Sequence, residues 1–284
     1  MSEPKDRPFD ERALRVVPPV PSQDGATLPR LVGVMQRLLA SGGCPWDREQ
    51  TFETLRKYVL EEACEVIDAI ESKDMPHLRE ELGDLLLQIV FQSELARTQA
   101  KFGIDDVIEG IVGKLVHRHP HVFADGTAKD AAEVLQNWER IKMEEKKDRR
   151  VLDGVPRSLP ALTRAQRIGE KVSRVGFDWS DRQGSRAKVE EEIGELDEAI
   201  ASGDKDAIEA ELGDAIFAMV NLARHLDVDA EGAVRRTVDK FTRRFAHVED
   251  RVRGERGGWT GPTIPLATLD IYWDEAKAKE RSDP

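Results

Sequence analysis

Along most of the chain, apolar residues recur at intervals of three and four, spaced by Ala, Glu, Leu, Arg and Lys. That is the period of amphipathic helices, and no run of alternating β-branched residues competes with it. Two stretches break the pattern. Residues 1–27 hold five prolines and little apolar periodicity, which predicts a flexible N-terminal tail. The second break is VLDGVPRSLPAL (151–162), where Asp-Gly, two prolines and a serine mark a linker.

The pattern between the breaks is written twice. LEEACEVIDAIESKDMPHLREELGDLLLQIVFQSELAR begins at Leu60, and EEIGELDEAIASGDKDAIEAELGDAIFAMVNLARHL begins at Glu191. At an offset of 130 residues Glu61 aligns with Glu191, Glu62 with Glu192, Glu65 with Glu195, Glu81 with Glu211 and Asp84 with Asp214. KLVHRHPHVF from Lys114 then matches KFTRRFAHVE from Lys240, and WERIK from Trp138 matches WDEAK from Trp273. A repeat of this length is a duplicated domain, too long for a solenoid unit. The reading is all-α, with two tandem helical domains of about four helices each, over 28–150 and 163–284.

Composition narrows the functional classes. The 284 residues carry 43 Lys and Arg against 55 Asp and Glu, a formal net charge of −12. An excess of acid is the wrong sign for a nucleic-acid footprint or an anionic membrane surface. Two cysteines, Cys44 and Cys64, provide neither a disulfide framework nor a thiolate metal site. With no apolar run near the roughly 18 residues of a membrane span, and no signal-like stretch at the N-terminus, a cytoplasmic protein is expected.

The placement of the acids then matters more than their number. At about 100° per residue, Glu65 and Asp68 fall within roughly 40° of Glu61, opposite Ala63, Val66, Ile67 and Ile70. Taken alone, that acidic face reads as solvated surface. The following helix changes the balance. In ELGDAIFAMVNLA (211–223) the charges are Glu211 and Asp214, set three apart among residues apolar most of the way round, which predicts a buried helix. An acid buried there needs a neutralising partner. The paired helix offers further carboxylates, so E-x-x-E and E-x-x-D together favour a divalent cation over a surface role. All-oxygen donors suit Mg²⁺, with Mn²⁺ a substitute. A di-iron bundle requires Glu-x-x-His, and none of the six histidines has a Glu three residues before it. No P-loop, Cys/His zinc set or nucleophile elbow is present.

Carboxylate-held Mg²⁺ often carries phosphates, and candidate cationic partners lie at matching places. Lys240 and Arg244 are four apart, as are Lys114 and Arg118. Lys277 follows Trp273 by four, as Lys142 follows Trp138, and Lys188 stands one turn before Glu192. The tryptophans either stack on a base or close the core. Asn221 lies near the acidic stripe where the first copy has Phe91, adding a polar group for a base or sugar.

With these residues assembled, the sequence resembles the MazG family of nucleoside triphosphate pyrophosphohydrolases in its two-domain form. The resemblance is carried by E-E-x-x-E (61–65, 191–195), E-L-G-D (81–84, 211–214), G-C-P-W-D-R-E-Q-T (43–51), R-H-P-H-V-F (118–123) and V-G-F-D-W (175–179). It implies the all-α NTP pyrophosphatase fold, a homodimer, and Mg²⁺-dependent hydrolysis of nucleoside triphosphates to monophosphate and pyrophosphate. It further implies that Glu192, Glu195, Glu211 and Asp214 hold the metal, and that Lys188, Lys240, Arg244, Trp273 and Lys277 contact the nucleotide. Glu191 or Glu192 would orient or deprotonate the attacking water. Glu62, Glu65, Glu81 and Asp84 form the corresponding second set, and the C-terminal copy is the expected active one. Relatives place a Lys just before the E-x-x-D helix, whereas Lys205 here precedes Glu211 by six residues. The rival expectation is a non-catalytic nucleotide-binding regulatory module.

Overall fold

The computed structural model describes residues 27–145 and 150–282, apart from the side chains at 132, 135, 136, 139, 142–144 and 282. The tail expected over 1–27 lies outside the described residues except for Thr27, and so does the Lys142 side chain. Between residues 147 and 148 the chain divides into two compact units. The described residues are helices and turns without a strand, so the all-α expectation holds.

The first unit contains α1 (Leu28–Leu39), α2 (Pro45–Arg48), α3 (Phe52–Ser72), α4 (Met75–Thr98), α5 (Ile104–Arg118), α6 (Pro120–Phe123) and α7 (Ala131–Glu144). Met35 of α1, Leu55 of α3 and Val90, Phe91 and Leu95 of α4 form its core. The second unit contains α8 (Ala161–Ser173), α9 (Arg182–Ser202), α10 (Lys205–His225), α11 (Ala230–Arg256) and α12 (Leu266–Ser282). Val248 and Val252 of α11 pack with Tyr272 of α12, and Ile264, Leu269 and Trp273 close around them. Each unit exceeds the four helices expected, because a helix precedes the acidic pair in both copies and one-turn helices punctuate the first.

The segment expected to link the domains is tied to the second unit. Lys171 Nζ donates to the carbonyls of Val151 (3.1 Å) and Asp153 (2.9 Å).

One expectation is corrected. The helix read as buried on nearly every side, α10, buries Ala215, Ala218 and Val220, while Leu212, Ile216 and Met219 are exposed. Leu82, Leu86 and Ile89 repeat this exposed stripe on α4, and Asp84 and Asp214 are exposed as well. Within each unit, neighbouring helices cover only part of the apolar circumference. Apolar composition marks a face that needs covering without naming what covers it.

Candidate active site

Both acidic sets are built on a helical hairpin closed by a two-residue turn. In the second unit, Asp181 starts α9 by accepting from the N–H groups of Gln183 and Gly184. Gly203 ends it in the left-handed region (φ 75°), where a side chain would be strained. Asp204 then caps α10 by accepting from Asp206 and Ala207 N–H. In the first unit, Thr51 and Thr54 form a reciprocal capping box on α3. Lys73 takes the left-handed position (φ 58°), and Asp74 caps α4. So short a turn lays the two helices side by side, bringing E-x-x-E of one against E-x-x-D of the other.

In the second hairpin, one carboxylate oxygen from each of Glu192, Glu195 and Glu211 lies within 4.8 Å of the others. Glu192 is only 6% exposed. Desolvation, and next the charge of Glu192, push the Glu195 carboxyl above its ordinary range. Lys188 answers part of this charge. Its Nζ is 2.6 Å from Glu192 Oε1 and 2.9 Å from Glu191 Oε1, and these hydrogen bonds raise the lysine's pKa. Asp214 stands outside the close trio but lines the same cleft as Glu192.

The first hairpin gathers Glu62, Glu81 and Asp84 within the same 4.8 Å. Desolvation and then Asp84 raise the Glu62 carboxyl, and a hydrogen bond with Glu65 adds to the shift. Desolvation and then Glu65 raise Glu81, against a His77 contact of 2.8 Å. Tyr58 occupies the place corresponding to Lys188. Converging carboxylates with raised pKa values are short of positive charge, and their hard oxygen donors match Mg²⁺ or Mn²⁺.

Beside the second acidic set a pocket of about 240 Å³ opens between α8, α9 and α10. Glu192, Asp214 and Lys188 lie at its edge, and Ile168, Val172, Phe177, Trp179, Phe217 and Ala218 supply apolar wall. Asp178, Asn221 and Arg224 add a polar rim. Asn221 Oδ1 accepts from Arg224 Nε (2.9 Å), and Asp178 Oδ1 accepts from Arg224 Nη2 (2.6 Å). His225 Nε2 lies 3.0 Å from the same oxygen. Burial acts to raise the Asp178 carboxyl, but the hydrogen bonds from Arg224 and His225 outweigh it and hold the pKa below the usual range.

The remaining predicted residues gather elsewhere in the unit. Lys240 is exposed on α11. Arg244 makes hydrogen bonds of 2.9 and 2.7 Å to Glu280 and stands over the Trp273 ring at 5.7 Å. Lys277 pairs with Asp274 at 2.6 Å. In the first unit Arg118 pairs with Glu145 at 2.7 Å and Lys114 is exposed. None of Lys240, Arg244, Trp273 and Lys277 lines the pocket. The sequence alone did not single out Asp178, Arg224 or Gly169, which also lines the pocket, nor His225 beside Asp178. Asp178 sits in the V-G-F-D-W motif, and its 46-residue separation from Arg224 hides the contact.

Comparison with known proteins places the chain in a family. The MazG nucleotide pyrophosphohydrolase domain matches twice, over residues 50–123 and 182–249. The nucleoside triphosphate pyrophosphohydrolase of Escherichia coli (strain K12) is 46% identical over 257 residues, covering 88% of this chain and 97% of that protein. The Thermotoga maritima protein named nucleoside triphosphate pyrophosphohydrolase/pyrophosphatase MazG is 42% identical over 261 residues, covering 91% of this chain and 98% of the relative. YabN of Bacillus subtilis is 41% identical over 251 residues, which is 87% of this chain and 51% of YabN. Both acidic hairpins fall inside the matched segments, and the chain belongs to the MazG nucleotide pyrophosphohydrolase family.

Proposed function

We propose that the protein hydrolyses nucleoside triphosphates to nucleoside monophosphates and pyrophosphate. The observation that carries this reading is the convergence of buried Glu192 with Glu195 and Glu211 beside Lys188, at the mouth of an apolar pocket. Its company is a pair of full-length relatives named for this activity.

Glu192, Glu195, Glu211 and Asp214 hold a divalent cation, Mg²⁺ with Mn²⁺ as substitute. When bound, the cation neutralises triphosphate oxygens and polarises the phosphorus under attack. Lys188 offsets further charge from the same hairpin. Glu191, exposed and tethered to Lys188, orients the attacking water and accepts its proton, with Glu192 the alternative base. The water oxygen forms the new bond to phosphorus and the α–β bridging P–O bond breaks. Attack at either phosphorus gives the same products.

The second hairpin is the active one, supported by Lys188 where the first has Tyr58. The Glu62, Glu65, Glu81 and Asp84 set is a lesser cation site. The exposed apolar stripe on α10 is covered in a homodimer. Lys240, Arg244, Trp273 and Lys277 contact the nucleotide, Arg244 and Lys277 once their ion pairs to Glu280 and Asp274 give way to phosphate. A broad range of bases fits a pocket with few polar groups. We further infer domains over 28–150 and 163–284 joined through 151–162, and a cytoplasmic location, in keeping with the absence of a membrane-crossing helix among the described residues.

The test is pyrophosphate release from a panel of ribo- and deoxynucleoside triphosphates with Mg²⁺. Turnover of several bases, abolished by a chelator and restored by added Mg²⁺, is expected. Nucleotide binding without turnover would replace this reading with a regulatory binding module.

A further inference from the structure

The histidines of R-H-P-H-V-F (118–123) take no part in the acidic hairpins or the pocket. The matching run in the second copy is R-F-A-H-V-E (244–249), and α11 passes straight through it. In the first copy Pro120 cannot donate to a helix ladder, so α5 stops at Arg118 and the one-turn α6 starts at Pro120. His119 is the hinge between them (φ −121°, ψ 56°). Backbone bonds hold the turn in place. Val122 and Phe123 N–H donate to the His119 carbonyl at 2.9 and 3.1 Å, and Ala124 and Gly126 N–H donate to the Pro120 carbonyl at 2.9 and 3.1 Å. Gly126 lies so close that a Cβ there would stand 3.0 Å from the His121 nitrogen of the backbone.

This break in the helix brings two imidazoles together. The rings of His119 and His121, both half-buried, have centres 5.7 Å apart and planes inclined at 55°. His119 Nδ1 is 2.6 Å from the Leu115 carbonyl. A carbonyl only accepts, so Nδ1 carries the hydrogen and Nε2 keeps its lone pair. His121 Nδ1 is shielded from solvent and has no hydrogen-bond partner among the described residues. The second copy lacks this pairing. Phe245 replaces His119, and His247, the counterpart of His121, lies 3.2 Å from Glu275 and 3.3 Å from Lys279.

A backbone carbonyl that holds one ring N–H is the arrangement found behind metal-ligating histidines, because it fixes the tautomer and aims the other nitrogen. Two imidazoles bound to one ion at about 2.0–2.1 Å have ring centres roughly 5–6 Å apart at near-tetrahedral angles. The observed separation falls in that range. Nitrogen donors also select a different ion from the hairpin carboxylates. Imidazole suits Zn²⁺, Cu²⁺ and Ni²⁺, whereas Mg²⁺ keeps to oxygen. The neighbouring positive charge of Arg118 is taken up by Glu145 at 2.7 Å.

We propose that His119 and His121 form an accessory site for a divalent transition metal of the Zn²⁺ class. His119 binds through Nε2 and His121 through Nδ1, with water in the remaining positions. The ion ties the end of α5 to the turn that follows, beside the Arg118–Glu145 pair. Its role is structural, and it is independent of the pyrophosphohydrolase reading.

Calorimetric titration of the full chain with Zn²⁺ in excess Mg²⁺ tests this. His119→Gln and His121→Gln are each expected to weaken Zn²⁺ at least about tenfold, since even an outer partner of a metal ligand is worth that much. His117→Gln, whose ring faces Glu145 at 3.7 Å, should leave the affinity unchanged. Zn²⁺ should raise the melting temperature of the parent and of neither His119→Gln nor His121→Gln. Copper supplies a readout that needs no variant: Cu²⁺ added to the parent at one equivalent should show magnetic coupling to two imidazole nitrogens. No Zn²⁺ binding, binding that both variants retain, binding lost instead in Asp84→Asn or Asp214→Asn, or copper coordinated by oxygen alone overturns the site. Should a variant fail to fold, the copper spectrum of the parent decides.

Discussion

The carboxylates near the pocket fall into two groups according to their partners. Glu195 faces other acids and is pushed up, whereas Asp178 faces Arg224 and His225 and is pulled down. The sign of the second shift fixes a stability prediction. A carboxyl whose folded pKa is depressed contributes stability that is complete above its unfolded pKa of about 4 and is lost as pH falls through the folded value. Asp178→Asn should therefore be less stable than the parent at pH 7 by about 1–2 kcal/mol. The gap should shrink as pH falls from about 5 to about 3. Thermal melting across that range is the measurement, and parallel curves would show that the ion pair adds no pH-linked stability. The acids were legible in the sequence, because Glu192, Glu195, Glu211 and Asp214 recur at helical spacing in two aligned copies. Asp178 with Arg224 was not, since nothing local pairs residues 46 positions apart. Gly169 was equally silent, because its role is the space that it leaves.

Caps and turns at the ends of the hairpin helices follow from short-range chemistry, and the sequence shows them plainly. Asp74, Asp181 and Asp204 accept from the first free N–H groups of their helices. The hydrophobic faces are a different matter. The apolar circumference of α10 suggested burial on nearly all sides, but Leu212, Ile216 and Met219 stay uncovered in the single chain. Periodicity states which residues share a face, while the covering partner is a tertiary or quaternary fact. Three large apolar residues on one stripe favour association with a second copy. Placing a charge there should prevent it: Ile216→Glu is expected to shift the mass in solution from dimer to monomer, as read by light scattering at micromolar protein. A parent protein that is already monomeric would contradict the homodimer.

At the scale of the whole molecule, duplication has produced two hairpins of one plan and different endowment. Each brings three carboxylates within 4.8 Å. The second adds Lys188, bridging Glu191 and Glu192, and an open pocket with Asn221 on its rim. The first has Tyr58 in place of the lysine and Phe91 in place of the asparagine. On the proposed reading, the lysine and the pocket beside the second acidic set hold the nucleotide in register for attack. We propose the second copy as the active one, and one comparison tests this most directly: pyrophosphate release by Asp214→Ala and Asp84→Ala under saturating Mg²⁺. Asp214→Ala is predicted to lose pyrophosphate release and Asp84→Ala to keep most of it. Equal loss in the two variants would contradict the assignment.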